Sequence, residues 1–154
     1  MTGQKKKIHI TPIREGTAID HLRPGTALKI LEVLNLHDVA VTAAMNVESR
    51  KMGKKDIIFI EGRELNEKEL SKIALIGKGA TINLIKNSEI KKKFELGYPD
   101  RVEGIMKCIN PKCITNSEKI AAKFEIRTKP LEARCFYCEN RMAESEIISS
   151  IRSD

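Results

Sequence analysis

The four cysteines of this 154-residue chain fall in two close pairs, Cys108 with Cys113 and Cys135 with Cys138. Four residues separate the first pair, two separate the second, and 21 lie between the pairs. Each short spacing can close a tight knuckle of thiolates around one tetrahedral ion, and the intervening length suits a small antiparallel excursion and return. The pattern therefore predicts one zinc site. Asn110 and Pro111 in the first knuckle, and Glu139 and Asn140 after the second, are turn formers that let backbone amides point at sulfur. Two disulfides, unrelated buried thiols and an iron site are the competing readings. The opening MTGQKKKIHI has no apolar run of the secretion-signal kind, so a reducing, cytoplasmic setting is expected and disulfides are disfavoured. Four sulfur ligands would fill the tetrahedron and leave no position for water or substrate, so the ion is expected to be structural, one per chain. A segment of roughly 50 residues has too little core to fold alone, which couples its folding to the metal.

Outside the cysteines, chemistry could lie in Arg14-Glu15-Gly16-Thr17-Ala18-Ile19-Asp20-His21, where an acid and an imidazole stand side by side ahead of a helix. Taken alone, the pair reads as a loop in which Asp20 makes a turn hydrogen bond and His21 is partly exposed. His9 alternates with apolar residues and His37 is placed at a helix end; neither looks like a ligand. Lys86 and the run Lys91, Lys92 and Lys93, placed beyond a last strand, form a dense positive region where phosphate could sit.

The elements that must position these groups follow from composition and periodicity. Aromatic residues are only 4% of the chain and tryptophan is absent, so isoleucine and leucine must build the core. The formal charge of +7 is unevenly spread: residues 1–97 carry 18 basic and 12 acidic side chains, net +6, and the remainder 10 and 9, net +1. Bound thiolates and a zinc ion would make the cysteine-bearing part close to neutral. The turn-rich Gly97-Tyr98-Pro99-Asp100-Arg101 separates the two parts, so two domains are expected, 1–97 and 98–154. In the first, Ile8, Ile10 and Ile13 read as a strand, and Ala27, Leu28, Ile30, Leu31 and Leu34 as one helix face. Val39 to Val47 and Asp56 to Ile60 form a hairpin across residues 49–54, Asn66 caps a helix that stops at Gly77, and Ala80 to Ile85 form a last strand. Strand, helix, strand, strand, helix, strand is the ferredoxin-like βαββαβ pattern, with both helices on one face, so the class is α+β with a small, mainly β metal module behind it. No stretch is long and apolar enough to cross a membrane.

Gly16-Thr17-Ala18-Ile19-Asp20-His21, Met52-Gly53-Lys54-Lys55-Asp56, Ala80-Thr81-Ile82-Asn83 and the two cysteine pairs occur in an order that resembles the regulatory chain of aspartate carbamoyltransferase, nearly end to end. The resemblance implies a non-catalytic, allosteric subunit of pyrimidine biosynthesis. Its first domain would bind nucleoside triphosphate effectors such as CTP, ATP and UTP and pair with a second regulatory chain. Its zinc domain would dock on the catalytic chain. By the same resemblance Asp20 would accept from ribose hydroxyls, His21 and Lys93 would face the triphosphate, Asn83, Ile85 and Ile90 would border the pocket, and the backbone around Ile10, Pro12 and Ile13 would read the base edge. Cys108, Cys113, Cys135 and Cys138 would hold the zinc. The chain departs from well-known bacterial members at two positions that help hold the nucleotide there: Phe59 stands for a lysine and Ser88 for a tyrosine. Losing a lysine that meets a base carbonyl implies weaker preference between pyrimidine and purine triphosphates, or an altered direction of the response. The rival from another class is a zinc-ribbon nucleic-acid-binding protein, and the charge distribution opposes it, because the near-neutral part carries the ribbon and few aromatics are present for stacking.

Overall fold

The computed structural model describes residues 13–153. Along them run β1 (Gly16–Leu22), α1 (Thr26–Val33), β2 (Val41–Ser49), β3 (Gly53–Glu61), α2 (Glu67–Ile76), β4 (Thr81–Lys86) and β5 (Glu89–Glu95). These are followed by β6 (Arg101–Glu103), α3 (Ile114–Ser117), β7 (Lys123–Arg127), β8 (Glu132–Cys135), β9 (Arg141–Ala143) and α4 (Glu144–Ser150). The first five strands form an antiparallel sheet in the order β2-β3-β1-β4-β5, and β6 to β9 form a second antiparallel sheet in chain order. The order β4-β1-β3-β2 is the split βαβ arrangement the periodicity predicts, with β5 added along one edge.

Local chemistry explains most of the boundaries. Asn66 and Glu69 form a reciprocal capping box at the start of α2: the Asn66 side chain accepts from the Glu69 N–H at 2.9 Å, and Glu69 Oε1 accepts from the Asn66 N–H at 3.1 Å. The first turn of α1 has no side-chain cap of its own. Asp56, fully buried on β3, accepts from the N–H groups of Gly25 and Ala27 there, and from Asn46 across the bulge of β2. Ile19, Ile58, Ile60 and Ile82 lie on the buried face of the first sheet with Ala27, Ile30, Ile73 and Ile76 of the two helices. In the second sheet Phe124, Ala133 and Met142 alternate inward with exposed polar residues, and the same contiguous cluster runs through both sheets.

Four expectations need correction, and one lies mostly outside the described residues. The predicted first strand at residues 8–13 falls mostly outside the described residues, and Ile13 itself is irregular. The segment placed in a loop, 16–22, is instead the central strand β1. Gly16 is what disguises it: its φ of 146° suits glycine alone, and a Cβ there would collide with the Ile60 carbonyl oxygen. The lysine run is not beyond the sheet but forms β5, reached by a two-residue turn in which Asn87 and Ser88 both adopt left-handed conformations, φ 51° and 63°. Leu28 is 62% exposed, so the inward face of α1 is Ala27, Ile30 and Val33. His37 also sits in an exposed turn past α1 rather than at its end. Among the described residues, no helix is long and apolar enough to cross a membrane.

Candidate functional site

Paired residues of adjacent strands face the same way, so register alone places side chains together. Thr42 pairs with Phe59, Phe59 with Ala18, Ala18 with Asn83, and Asn83 with Lys93, one row across all five strands. The row on one side holds Asp20, Thr81 and Glu95; that on the other holds Gly16 with Glu61, Ile85 and Ile90. Asp20, Asn83, Ile85, Ile90 and Lys93 thus share the face of the sheet away from the buried isoleucines. Ile90 and Lys93 are exposed, whereas Asn83 is buried, and its Oδ1 has no partner among the described residues. A buried amide oxygen without a partner costs free energy unless something donates to it.

Asp20 and His21 occupy the end of β1, where pairing to β3 slips between Ile19 and Leu22. The bulge gives His21 a φ of 56° and brings its Nδ1 to 3.0 Å from Thr81 Oγ1. Asp20 Oδ1 accepts from the His21 N–H at 2.6 Å and from Lys55 Nζ at 2.8 Å. Burial by itself would raise the Asp20 carboxyl; the Lys55 bond and the His21 N–H outweigh it and hold the group below its ordinary value of 3.8. Oδ2 receives no hydrogen bond among the described residues. Ile13, half-buried, precedes a segment tied to the β4–β5 turn by Ser88 N–H to Arg14 O at 3.0 Å. An open cleft of about 580 Å³ lies there, lined by Arg14, Glu15, Glu61, Gly62, Asn87 and Ser88. Ile10 and Pro12 lie outside the described residues. Phe59, half-buried, stands in the central row, and Ser88 is exposed at the cleft.

The four cysteine sulfurs converge in the second sheet, all within 4.8 Å of one another. Cys108 to Cys138 measures 3.6 Å and Cys113 to Cys135 3.8 Å. A tetrahedron with metal–sulfur bonds of about 2.3 Å has edges of about 3.8 Å, and a disulfide would need about 2.0 Å, so the spacing fits shared coordination of one ion. Cys108 and Cys113 flank the loop before α3, where Asn116 donates to the carbonyls of Cys108 and Asn110 at 2.9 and 2.7 Å, and Thr115 Oγ1 lies 3.1 Å from Cys113 Sγ. Cys135 ends β8, and the left-handed Glu139 turns the chain so that the Cys135 N–H reaches Asn140 O at 2.9 Å. Burial pushes the Cys108 thiol up to about 12 and raises that of Cys135. For Cys138 burial also raises, but the Asn140 amide and the Asn110 side chain outweigh it and draw the thiol down to about 7. Four thiolates this close are compatible only with a cation among them, which is how a metal becomes part of the folding free energy.

Residues 8–97 match the family model described as aspartate carbamoyltransferase regulatory chain, allosteric domain, and residues 100–148 match its metal binding domain. The chain belongs to the aspartate carbamoyltransferase regulatory chain family. It is 45% identical over 150 residues to the regulatory chain of Pyrococcus abyssi, covering 94% of this chain and 99% of that one. The regulatory chain of Thermococcus sibiricus is 46% identical over 148 residues, with 95% and 99% covered, and that of Methanocaldococcus jannaschii 45% over 141, with 90% and 95% covered. As a member of the regulatory chain family it is a non-catalytic subunit with an allosteric and a metal-binding domain.

Lys55 is the neighbour of Asp20 that residue-by-residue reading missed. It stood within the Met52-Gly53-Lys54-Lys55-Asp56 motif, but its approach to Asp20 depends on the bulge in β1. The solvent-face row of the second sheet runs Arg101, Glu125, Arg134 and Arg141, and Arg134 further bonds Glu139 at 3.1 Å. The family assignment reported above, rather than the charge of this row, is what disfavours the nucleic-acid reading.

Proposed function

We propose that this chain binds nucleoside triphosphate effectors, CTP, ATP and UTP among them, on the open face of its first sheet and passes their effect to the catalytic chains of a cytoplasmic aspartate carbamoyltransferase. Residues 1–97 form the effector domain. Residues 98–154 form a domain that docks on the catalytic chain and is held by one structural zinc ion in Cys108, Cys113, Cys135 and Cys138. The observation that carries the nucleotide reading is the row containing Asn83 and Lys93 beside Asp20 and His21. The Asn83 amide oxygen, without a partner among the described residues, the Asp20 carboxylate and the side chains of His21 and Lys93 meet the needs of a ribose and a triphosphate, through hydroxyl donors to Asp20, a hydrogen bond from His21 and a charge-assisted bond from Lys93. Zinc suits four sulfur donors with no open position.

Docking on a catalytic chain finds support in the apolar side chains beside the ligands. Ile109, Ile114, Phe136 and Tyr137 are exposed, each within two residues of a cysteine that would hold the metal. Pairing of two regulatory chains is supported in the first sheet, where β2 forms an outer edge among the described residues and Met45 is 49% exposed on it. Phe59 supplies apolar contact where a lysine would read a base carbonyl. Calorimetric titration of the zinc-loaded chain with CTP, ATP and UTP should therefore give affinities within about tenfold of one another, roughly 1.4 kcal/mol, and Lys93→Ala should weaken all three alike. A chain that binds none of them ends the effector reading, and a spread far beyond tenfold ends the role given to Phe59.

A further inference from the structure

We propose that Arg23 is the positioning residue through which occupancy of the nucleotide face reaches the metal-bearing domain, and that its ion pair with Glu144 carries the signal. This rests on the effector reading above. Only Leu22 separates Arg23 from His21, whose left-handed backbone and bond to Thr81 Oγ1 hold it at the break in β1 register. Leu22 is fully buried and packs beside Gly77, so it cannot absorb a displacement of His21 by swinging into solvent. The backbone on the far side is equally constrained. The Arg23 carbonyl accepts from the Thr26 N–H at 3.1 Å and from Thr26 Oγ1 at 2.7 Å, and Pro24 restricts the conformation of Arg23 itself. A shift imposed on His21 is therefore passed to the Arg23 side chain.

That side chain crosses to the other domain. Arg23 Nη2 lies 3.3 Å from Glu144 Oε1, and Glu144 opens α4 directly after β9, six residues beyond Cys138. α2 also packs on α4, so the pair spans two domains that already touch. The side chains are 51% and 46% exposed, which makes the pair a weak stabiliser and an adjustable one. A single donor–acceptor contact at the long end of hydrogen-bond distance is made or lost by a small movement at His21. The coupling it carries is the difference in that contact between the two states of the assembly.

The test uses the complex of the zinc-loaded chain with its catalytic chains, and reads the shift in aspartate half-saturation caused by CTP and by ATP. Arg23→Gln and Glu144→Gln should each reduce that shift at least twofold, the double variant should reduce it no further, and the exchange Arg23→Glu with Glu144→Arg should restore at least half of it. Calorimetric CTP affinity of each variant, and the mass of each complex, should stay within error of the parent. Shifts undiminished in both single variants, failure of the exchange to restore them, or a loss matched by weaker CTP binding or assembly each overturn the coupling role while leaving the effector reading intact. A parent chain that binds no nucleotide overturns both.

Discussion

At the scale of single residues, Asp20 is a carboxylate whose position is set by its own neighbours. Its Oδ1 is committed to Lys55 and to the His21 amide, which fixes the side chain and leaves Oδ2 for a hydroxyl. Both partners of the Lys55 pair are less than one-fifth exposed, so the pair is better sheltered than a surface ion pair, and Asp20→Asn should lower stability at neutral pH by about 1 kcal/mol. The folded pKa is depressed, so this contribution is fully present above the ordinary value of 3.8 and is lost as the pH falls below it, through the folded value. Urea midpoints of parent and variant, measured from pH 7 to pH 2, should differ most near neutrality and converge below 3.8; a gap that stays constant contradicts the ion-pair role. The adjacency of Asp20 and His21 was visible in the chain, as was the metal cluster, whose spacing is its own geometry. The approach of Lys55 to Asp20 was not, because it depends on a bulge between β1 and β3 that no local pattern announces, and the resemblance named Asn83 without showing that its amide oxygen is buried with no partner among the described residues.

At the scale of elements, the two sheets differ in what holds them. The first has isoleucine-lined strands under two helices, the capping box at Asn66 and the buried Asp56 clamp. The second has three-, four- and five-residue strands and depends on the thiol cluster, with Cys135 directly opposite Phe124 in the core. Chelation, or Cys113→Ala, should therefore remove amide hydrogen-exchange protection from β6 to β9 while β1, β3 and β4 keep theirs. Equal loss in both sheets would mean the continuous core couples them into one folding unit, and no loss would mean the metal is dispensable. The elements with buried apolar periodicity, α2 and the β2–β3 hairpin, were legible in the sequence. β1 was hidden because Gly16 reads as a turn former and here serves the close approach of Ile60. β5 was hidden because an exposed edge strand rich in lysine has no apolar period, and its only signal was the Asn87-Ser88 turn.

At the scale of the whole molecule, the face of the first sheet that carries Asp20, Asn83 and Lys93 and the apolar patch around the thiol cluster are joined by a contiguous core, by α2 against α4 and by Arg23 with Glu144. That arrangement suits a chain that does no chemistry itself and biases a partner that does. The nucleotide need only bind one state of the assembly better than the other, by about 1 to 3 kcal/mol, to shift the partner's response. The most direct measurement is the solution mass of the zinc-loaded chain mixed with catalytic chains from the same source, with carbamoyl transfer assayed on that sample with and without CTP and ATP. A mixed complex whose aspartate saturation curve moves with nucleotide is the expected result; no complex, or a complex indifferent to both nucleotides, contradicts it.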